Sequence, residues 1–468
     1  LPAVYVFQGE TDHITKLTLI PLFTFIPRFY IVSQISKSQE RNNAMNTTIS
    51  LPYGKGALTL NVPEENLKAV MHSSIAAYTA EKTQAELVED AIAHPHGGLP
   101  LRERVRGKKK VVVISSDHTR PVPSRLLMPI ILREIRAGNP EADISILVAT
   151  GCHRAPTKQE LLDRYGEDIV AHERIVIHNA DDNDSLVALG LMASGNRLLL
   201  NRVAYEADFL MAEGFIEPHF FAGFSGGRKA VLPGVVGRAT TMFNHCAANI
   251  DNPGARTGLL DHNPIHMDMC EGAQKAGLEF ILNVVLNARK EVIGAFSGDL
   301  DAAHQAGIRF IRQLCRCKAE PADIVVTTNG GYPLDQNIYQ AVKGMSTAER
   351  TCKPGGVIIM VSECCDGHGA PAFYETFASD PSNEHIMASI RSRSAEQTTP
   401  DQWQSQIFLR ILLNFRVIFV SSAPKEMVEA LHMIYSPNLD DALQKAFALT
   451  HSGAAVTVIP DGVSTLIE

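Results

Sequence analysis

Short apolar runs alternate with segments of helical period through most of this chain. Lys110-Val-Val-Val-Ile-Ser115 and Ile144-Ser-Ile-Leu-Val-Ala149 read as buried strands. Between them, Ser124 to Ala137 reads as a helix closed by Gly138. After the second, Thr157-Lys-Gln-Glu160 is a capping box that opens a helix ending at Gly166. Ile175-Val-Ile177 and Asp208-Phe-Leu-Met-Ala212 supply further strands, and Ile281–Leu286 with Glu291–Ile293 a later strand pair. Repeated strand, loop and helix predict a parallel sheet with right-handed crossovers. Ahead of it, Ile49 to Val62 alternates around Tyr53-Gly-Lys-Gly56 and predicts a hairpin, and Thr83 to Ala93 predicts an amphipathic helix.

The rhythm restarts near Pro321. Asp323–Thr328, Gly355–Val361 and Arg416–Ser421 read as strands, with Ala454–Ile459 as a terminal one. Helices are predicted over Asn337–Val342, Glu384–Arg391, Trp403–Leu413 and Lys425–Met433. The fold class is therefore α/β, with mainly parallel sheets. A length of 468 residues fits two domains.

Residues 1–44 differ in character from the rest of the chain. The first methionine is Met45, and the apolar stretch Leu17–Val32 is interrupted by Pro21, Pro27 and Arg28. It is too short and too broken for a spanning helix and lacks the layout of a signal peptide. The expectation is an upstream non-native or disordered segment, with the functional start at Met45. A net charge of -8 without a Lys/Arg block argues against a nucleic-acid partner. Eight scattered cysteines fit no disulfide framework, which suits a reducing, cytoplasmic setting with no membrane association expected.

In open α/β sheets, ligands gather beyond the C-terminal ends of strands. The loops there hold unusual residues. After the first strand comes Ser115-Ser-Asp-His-Thr-Arg-Pro121, in which Asp117 and Arg120 are either an ion pair or part of a clamp for carboxylate or phosphate. After the second comes Gly151-Cys-His-Arg154. After the Asp208 strand comes Glu217 to Gly237, glycine-dense, carrying His219, Gly226, Gly227 and Lys229, and followed by Asn244-His245. Such a run cannot be a helix interior or a good strand, and its glycines give backbone room to approach an anionic or covalently attached ligand. It is not a Walker loop. Asp335-Gln-Asn337 and the pair Gln340 and Lys343, one helix face apart, follow the Asp323 strand. Histidine suits proton transfer and metal ligation, and lysine suits covalent attachment. His178, His262, His266 and His368 are expected to be ordinary structural or solvated histidines. No H-E-x-x-H, G-x-S-x-G or early G-x-G-x-x-G motif is present, which disfavours a zinc hydrolase, a serine hydrolase and an ordinary dinucleotide enzyme.

Taken together, S-S-D-H-T-R-P, G-C-H-R, E-P-H-F-F-A-G-F-S-G-G-R-K-A-V-L-P-G, N-H and N-G-G-Y-P-L-D-Q-N-I-Y-Q-A-V-K resemble the nickel-pincer lactate racemase family. The resemblance runs from about Met45 to the C-terminus. It implies two α/β domains with the active site in the cleft between them. They are expected at 45–318, joined by 453–468, and at 319–452. It also implies a nickel ion in a pincer built on a pyridinium mononucleotide. Lys229 would carry that cofactor, His245 would complete nickel coordination, and Ser115, Ser116, Tyr339, Gly226 and Gly227 would contact it. His153 and His219 match the two acid/base histidines. Asp117, Arg120, Gln340, Lys343 and Trp403 match the substrate side. The implied activity is racemisation of a small 2-hydroxy acid, lactate foremost, by hydride transfer. Malate-, aryl-lactate- or aldonate-like acids are the alternative substrates, and a nicotinamide dehydrogenase or a cofactor-binding protein the remote alternative functions. Cofactor-biosynthesis proteins are the implied partners.

Overall fold

Runs whose side chains are apolar on both faces can only be satisfied between two layers of helices, and this chain builds two sheets from them. The computed structural model describes residues 45–468; the expected upstream segment, 1–44, lies outside the described residues. The chain enters through an antiparallel hairpin, β1 (Asn46–Tyr53) and β2 (Gly56–Pro63), and a short β3 (Leu67–Val70). Helix α1 (Gln84–Ala93) follows, with Thr83 and Glu86 forming a capping box. Then β4 (Lys110–Ser116), α2 (Ser124–Gly138), β5 (Asp143–Ala149), α3 (Lys158–Tyr165) and β6 (Arg174–Ile177) succeed one another. An unforeseen hairpin, β7 (Leu186–Leu191) and β8 (Arg197–Asn201), precedes β9 (Phe209–Phe215).

The glycine-dense stretch forms neither a helix nor a long strand. It makes a two-residue pairing of β10 (Pro218–His219) with β11 (Gly223–Phe224), then a 3-10 turn at Gly227–Ala230. Helices α4 (Arg238–Asn244) and α5 (Pro264–Lys275) lead to the antiparallel pair β12 (Leu278–Leu286) and β13 (Val292–Gly298). The first sheet has the order β13-β12-β9-β4-β5-β6 and is parallel except at β13.

Helix α6 (Leu300–Cys315) and β14 (Arg316–Cys317) precede the second sheet. It is built from β15 (Ala322–Thr328), β16 (Cys352–Val361), β17 (Arg416–Val420), β18 (Ile434–Ser436) and β19 (Val456–Ile459), in the order β18-β17-β16-β15-β19-β3, all parallel. Helices α7 (Ile338–Ala348), α8 (Gln402–Asn414) and α9 (Leu439–Leu449) are among those that cover it. Two stretches assigned by sequence to the first domain therefore lie elsewhere: β3 and β19 belong to the second sheet. All four residues of β19 are buried, so it takes an inner position, between β15 and β3. Only β20 (Leu466–Ile467), at the end of 453–468, returns to β14. Among the described residues no helix is long and apolar enough to cross a membrane, and all eight cysteines are unpaired.

Asp335, from the loop after β15, is fully buried, and its Oδ2 accepts the backbone N–H groups of Gly54 (2.6 Å) and Glu363 (3.3 Å). It ties the first hairpin to the second sheet, which is a structural role for a residue grouped by sequence with candidate chemistry. An unsatisfied buried donor costs roughly 1–3 kcal/mol. Asp335→Ala is therefore expected to lower stability by about 3 kcal/mol, read as a shift of the urea midpoint. An unchanged midpoint would show that those donors find other partners.

Candidate functional site

The site is assembled by loops at the C-terminal ends of β4, β5, β9 and β15. Strand β4 ends in Ser115 and Ser116, whose side chains fall on opposite faces. The Ser115 hydroxyl is buried and donates to Glu213 Oε1 at 2.5 Å while accepting from the Tyr165 hydroxyl at 2.8 Å. It is committed to the interior, so of this expected pair only Ser116, partly exposed, has its side chain open to a ligand.

Two residues on, Asp117 is 1% exposed and its carboxylate is saturated. Oδ1 accepts from the Thr119 N–H (3.1 Å) and hydroxyl (2.6 Å), and Oδ2 accepts from His153 Nδ1 (2.7 Å). Burial is the largest influence on this carboxyl and raises its pKa. Hydrogen bonds from His153 and Thr119, with the charges of His153 and Arg120, more than offset it, and the net shift is downward. The carboxylate fixes His153 with its proton on Nδ1, leaving the Nε2 lone pair available as a base. His153 is 44% exposed, open to a ligand on its other side. Of the two readings of Asp117 and Arg120, the ion pair is absent among the described residues; Asp117 pairs with His153, and Arg120 stands exposed nearby.

The second histidine has the opposite arrangement. His219, in β10, accepts the Ala222 N–H at Nδ1 (3.3 Å), so its neutral ring carries the proton on Nε2. It stacks on Phe220 and meets the edge of Phe221, centroids 4.5 Å apart. Its pKa lies well below the ordinary imidazole value, first because of burial and then because Lys229, Lys343, Arg120 and Arg228 surround it.

Phe221, fully inside the loop, is the hub that sequence reading missed. His219, His245 (5.1 Å between centroids) and the Lys229 ammonium (5.6 Å from the ring) all lie against it. Lys229 is pushed far below its ordinary value by burial, then by Arg228 and Arg120, with Glu217 acting in the opposite sense. His245 follows α4. Its Nδ1–H donates to the Thr241 carbonyl at 3.1 Å, which leaves Nε2 unprotonated, and burial followed by the Lys229 charge lowers it to about 3. A neutral imidazole with Nε2 bare is the form that binds a metal ion. The Trp403 ring packs against the same imidazole at 4.9 Å.

The second sheet contributes α7 and α8. Lys343 is lowered by burial, with Glu217 raising it and Arg120 lowering it, which places it in the same charged group. Gln340, one turn earlier, has a buried Oε1 without a partner. The Tyr339 hydroxyl donates to Asp401 Oδ1 at 2.8 Å. Contacts and mutual charge effects group His219, Lys229, His245, Arg120, Lys343, Tyr339 and Trp403, and Asp117 with His153 joins them through Arg120. Gly226 and Gly227 have φ of 77° and 54°. A Cβ on Gly226 would meet Asn283 Oδ1 at 2.7 Å, and the Gly227 N–H is bonded to that same oxygen. These glycines serve the loop's own packing.

The loop's fastening is Arg228, also missed from the sequence. Its guanidinium is fully buried with no carboxylate partner among the described residues. It donates to the carbonyls of Ala222 (2.7 Å), Gly226 (3.2 Å) and Ser225 (3.4 Å) and to His266 Nδ1 (3.0 Å), with His304 Nε2 at 3.1 Å. His266 is thus structural, as expected. So is His178, whose ring lies between the Val236 carbonyl and Asn201. The adjacent basic pair Arg228-Lys229 was the available signal, because one of two neighbouring side chains in a tight turn must face inward.

Models of the lactate racemase N-terminal domain and C-terminal domain match residues 53–258 and 317–467. The chain is 46% identical over 421 residues to a lactate racemase of Thermoanaerobacterium thermosaccharolyticum, covering 90% of this chain and 99% of that protein. It is 48% identical over 421 residues to one of Lactiplantibacillus plantarum, with the same coverages. The solved lactate racemase apoprotein of T. thermosaccharolyticum superposes with a TM-score of 0.87 at 45% identity, over 90% of this chain and all of that one.

His178, lowered to about 4, and His245, lowered to about 3, both mainly by burial, give the cofactor-free protein a defined acid response. The folded state keeps both rings neutral where an unfolded imidazole, near 6.5, takes up a proton. Stability is therefore complete above about pH 7 and declines as pH falls from roughly 6.5 toward 4. Thermal midpoints of the apoprotein should already drop between pH 7 and pH 5, before most carboxylates titrate. A flat profile over that interval would contradict the buried neutral rings.

Proposed function

The chain belongs to the lactate racemase family, and from that premise we propose that it interconverts the D and L enantiomers of a small 2-hydroxy acid, lactate foremost. The observation that carries this reading is the pair of histidines with opposite tautomers, His153 and His219, beside a recess that also holds Lys229, His245, Arg120 and Lys343.

The residues suit a nickel-pincer pyridinium mononucleotide. Among the described residues no cluster of three His, Cys, Asp or Glu side chains could hold a metal ion alone, so an ion at His245 needs ligands brought by a cofactor. His245 would bind the nickel through Nε2. Lys229, whose pKa burial pushes well below its ordinary value, would attach the cofactor covalently, because only the neutral amine is a nucleophile. Bound there, such a group supplies a carbon centre that accepts and returns hydride.

The chain's own part is binding and proton transfer. Arg120 and Lys343 hold the substrate carboxylate and keep it in place as the carbon flattens. His153, oriented by Asp117, removes the hydroxyl proton through Nε2 and is stabilised by the carboxylate as it becomes cationic. His219 serves the opposite enantiomer. Burial first, and then the neighbouring basic side chains, disfavour its charged form, and anions bound among them would offset part of that and let it take the proton. The same cation surplus favours a phosphate-bearing cofactor and an anionic substrate. Trp403, against His245, closes the apolar side and suits a small substituent such as methyl.

Intact-mass measurement of holoprotein should show a cofactor adduct that Lys229→Ala abolishes. An adduct persisting on the variant would move the attachment elsewhere. His153→Ala and His219→Ala should each lower turnover of both lactate enantiomers by about 10²–10⁴-fold while bound nickel stays near normal. Loss of nickel in step with activity would refute the acid/base assignment. Loss of optical rotation with another 2-hydroxy acid, but not with lactate, would transfer the reading to that substrate.

A further inference from the structure

The loop carrying Asp117 and Arg120 has little backbone structure of its own. Pro121 and Pro123 have no N–H to give it; the Arg120 N–H donates to the Asp117 carbonyl (3.2 Å) and the Ser124 N–H to the Val122 carbonyl (2.9 Å), and these carbonyls, with that of Arg120, can still take an outside donor. They find one. Arg164, at the end of α3, donates through Nη2 to the carbonyls of Asp117 and of Arg120 (2.7 Å), and through Nη1 to the Val122 carbonyl (3.3 Å) and the Ser124 hydroxyl (2.9 Å). No carboxylate pairs with it among the described residues; its two Nη groups serve this loop and the start of α2, while Nε has no partner. Ser124 in turn donates to Glu213 Oε1, the same oxygen that receives Ser115. Glu213 is fully buried, and burial raises its pKa. One guanidinium therefore links β9, α2, α3 and the loop from behind, opposite the recess.

We propose that Arg164 is a positioning residue of the racemase site: it fixes the Asp117–Val122 loop so that Asp117 meets His153 at Nδ1 while Arg120 stands at the recess. The backbone of Asp117 is held at its carbonyl, and its carboxylate accepts His153 within 2.7 Å. A loop free to shift by even about 1 Å would lose that geometry, and displacements of this size can cost on the order of 10²-fold in rate. Lysine cannot replace the planar fork, because a single ammonium has no rigid pair of donors to span two carbonyls.

The catalytic consequence rests on the function proposed above, but the geometric core does not and can be read without cofactor. In apoprotein labelled with ¹⁵N-histidine, ring nitrogen shifts seen through the carbon-bound ring protons report the tautomer; His153→Asn assigns the signals. Wild type should show His153 with Nδ1 protonated and Nε2 bare. Arg164→Ala should move it toward the Nε2–H form that free imidazole prefers. In holoenzyme, Arg164→Ala should lower kcat/KM by about 10–100-fold, with kcat falling and KM rising together, since both Asp117 and Arg120 are displaced. Millimolar guanidinium, far below denaturing levels, should recover part of that loss. If Arg164→Ala does not fold, Arg164→Lys carries the same readings at smaller amplitude. A folded variant that keeps the Nδ1–H tautomer overturns the proposal, whatever its activity, as does kcat/KM within threefold of wild type. A tautomer shift in a protein whose wild type racemises nothing would leave the staple standing and refute the racemase reading alone.

Discussion

A buried guanidinium without a carboxylate is an unusual element on which to build a loop. Burying a charge is costly unless every donor is met. Arg228 meets its donors with three carbonyls of the glycine-dense loop and the His266 ring, with the His304 ring, itself bonded to the Ser225 carbonyl, alongside. The arrangement works because the loop has no ladder of its own: its carbonyls need donors as much as the guanidinium needs acceptors. The positions of Phe221, of Lys229 and, through Phe221, of His219 and His245 all depend on it. The charge is not cancelled by a partner, so it also acts on its neighbours.

Burial comes first in the electrostatics of the recess, and the clustered basic side chains add to it. Arg228, Arg120, Lys229 and Lys343 share one small volume, and Glu217 is the carboxylate acting on Lys229 and Lys343. Burial, and after it the neighbouring basic side chains, lower the pKa of both Lys229 and His219. A neutral lysine is reactive toward a cofactor, and a neutral imidazole is ready to accept a proton. Any anion admitted to the recess reduces the penalty on charging His219. Binding and activation are therefore coupled through one field, with no movement of the backbone required.

Much of the fold could be read from the chain. The strands from Lys110 onward announce themselves by short apolar runs, and the Thr83 and Thr157 caps mark helix starts to the residue. The sheet to which a strand belongs was harder. Leu67–Val70 and Val456–Ile459 pair with each other, and the latter with β15, across most of the chain's length, and no local pattern encodes a partner that remote. Helix α6 was not read from the sequence, although its apolar stripe through Ala303, Ala306, Ile308, Ile311 and Cys315 is well marked. In the site, residues that show chemistry by type alone were legible: His153, His219, Lys229, His245. Those whose role is support were not. Phe221 looks like any core aromatic, and Ser115 looks like a ligand-loop serine, although the pleat turns its hydroxyl toward Glu213.

The two histidines show why type and position do not suffice to define a role. Both lie beyond strands of the first sheet, and a racemase needs both because hydride and proton must be exchanged on either face of the carbon. Yet they are poised by different means. His153 has a private carboxylate, which fixes its tautomer whether or not a ligand is bound. His219 has only cations nearby and a backbone N–H at Nδ1, so its imidazolium awaits anions from the ligand itself. A pseudo-symmetric reaction is thus served by an asymmetric pair. One member is preorganised by the protein and the other is completed by what binds. The two directions can still share an equilibrium constant near one, because a catalyst cannot alter it. The asymmetry is confined to the separate steps, and the pH dependence of turnover from the two enantiomers need not coincide.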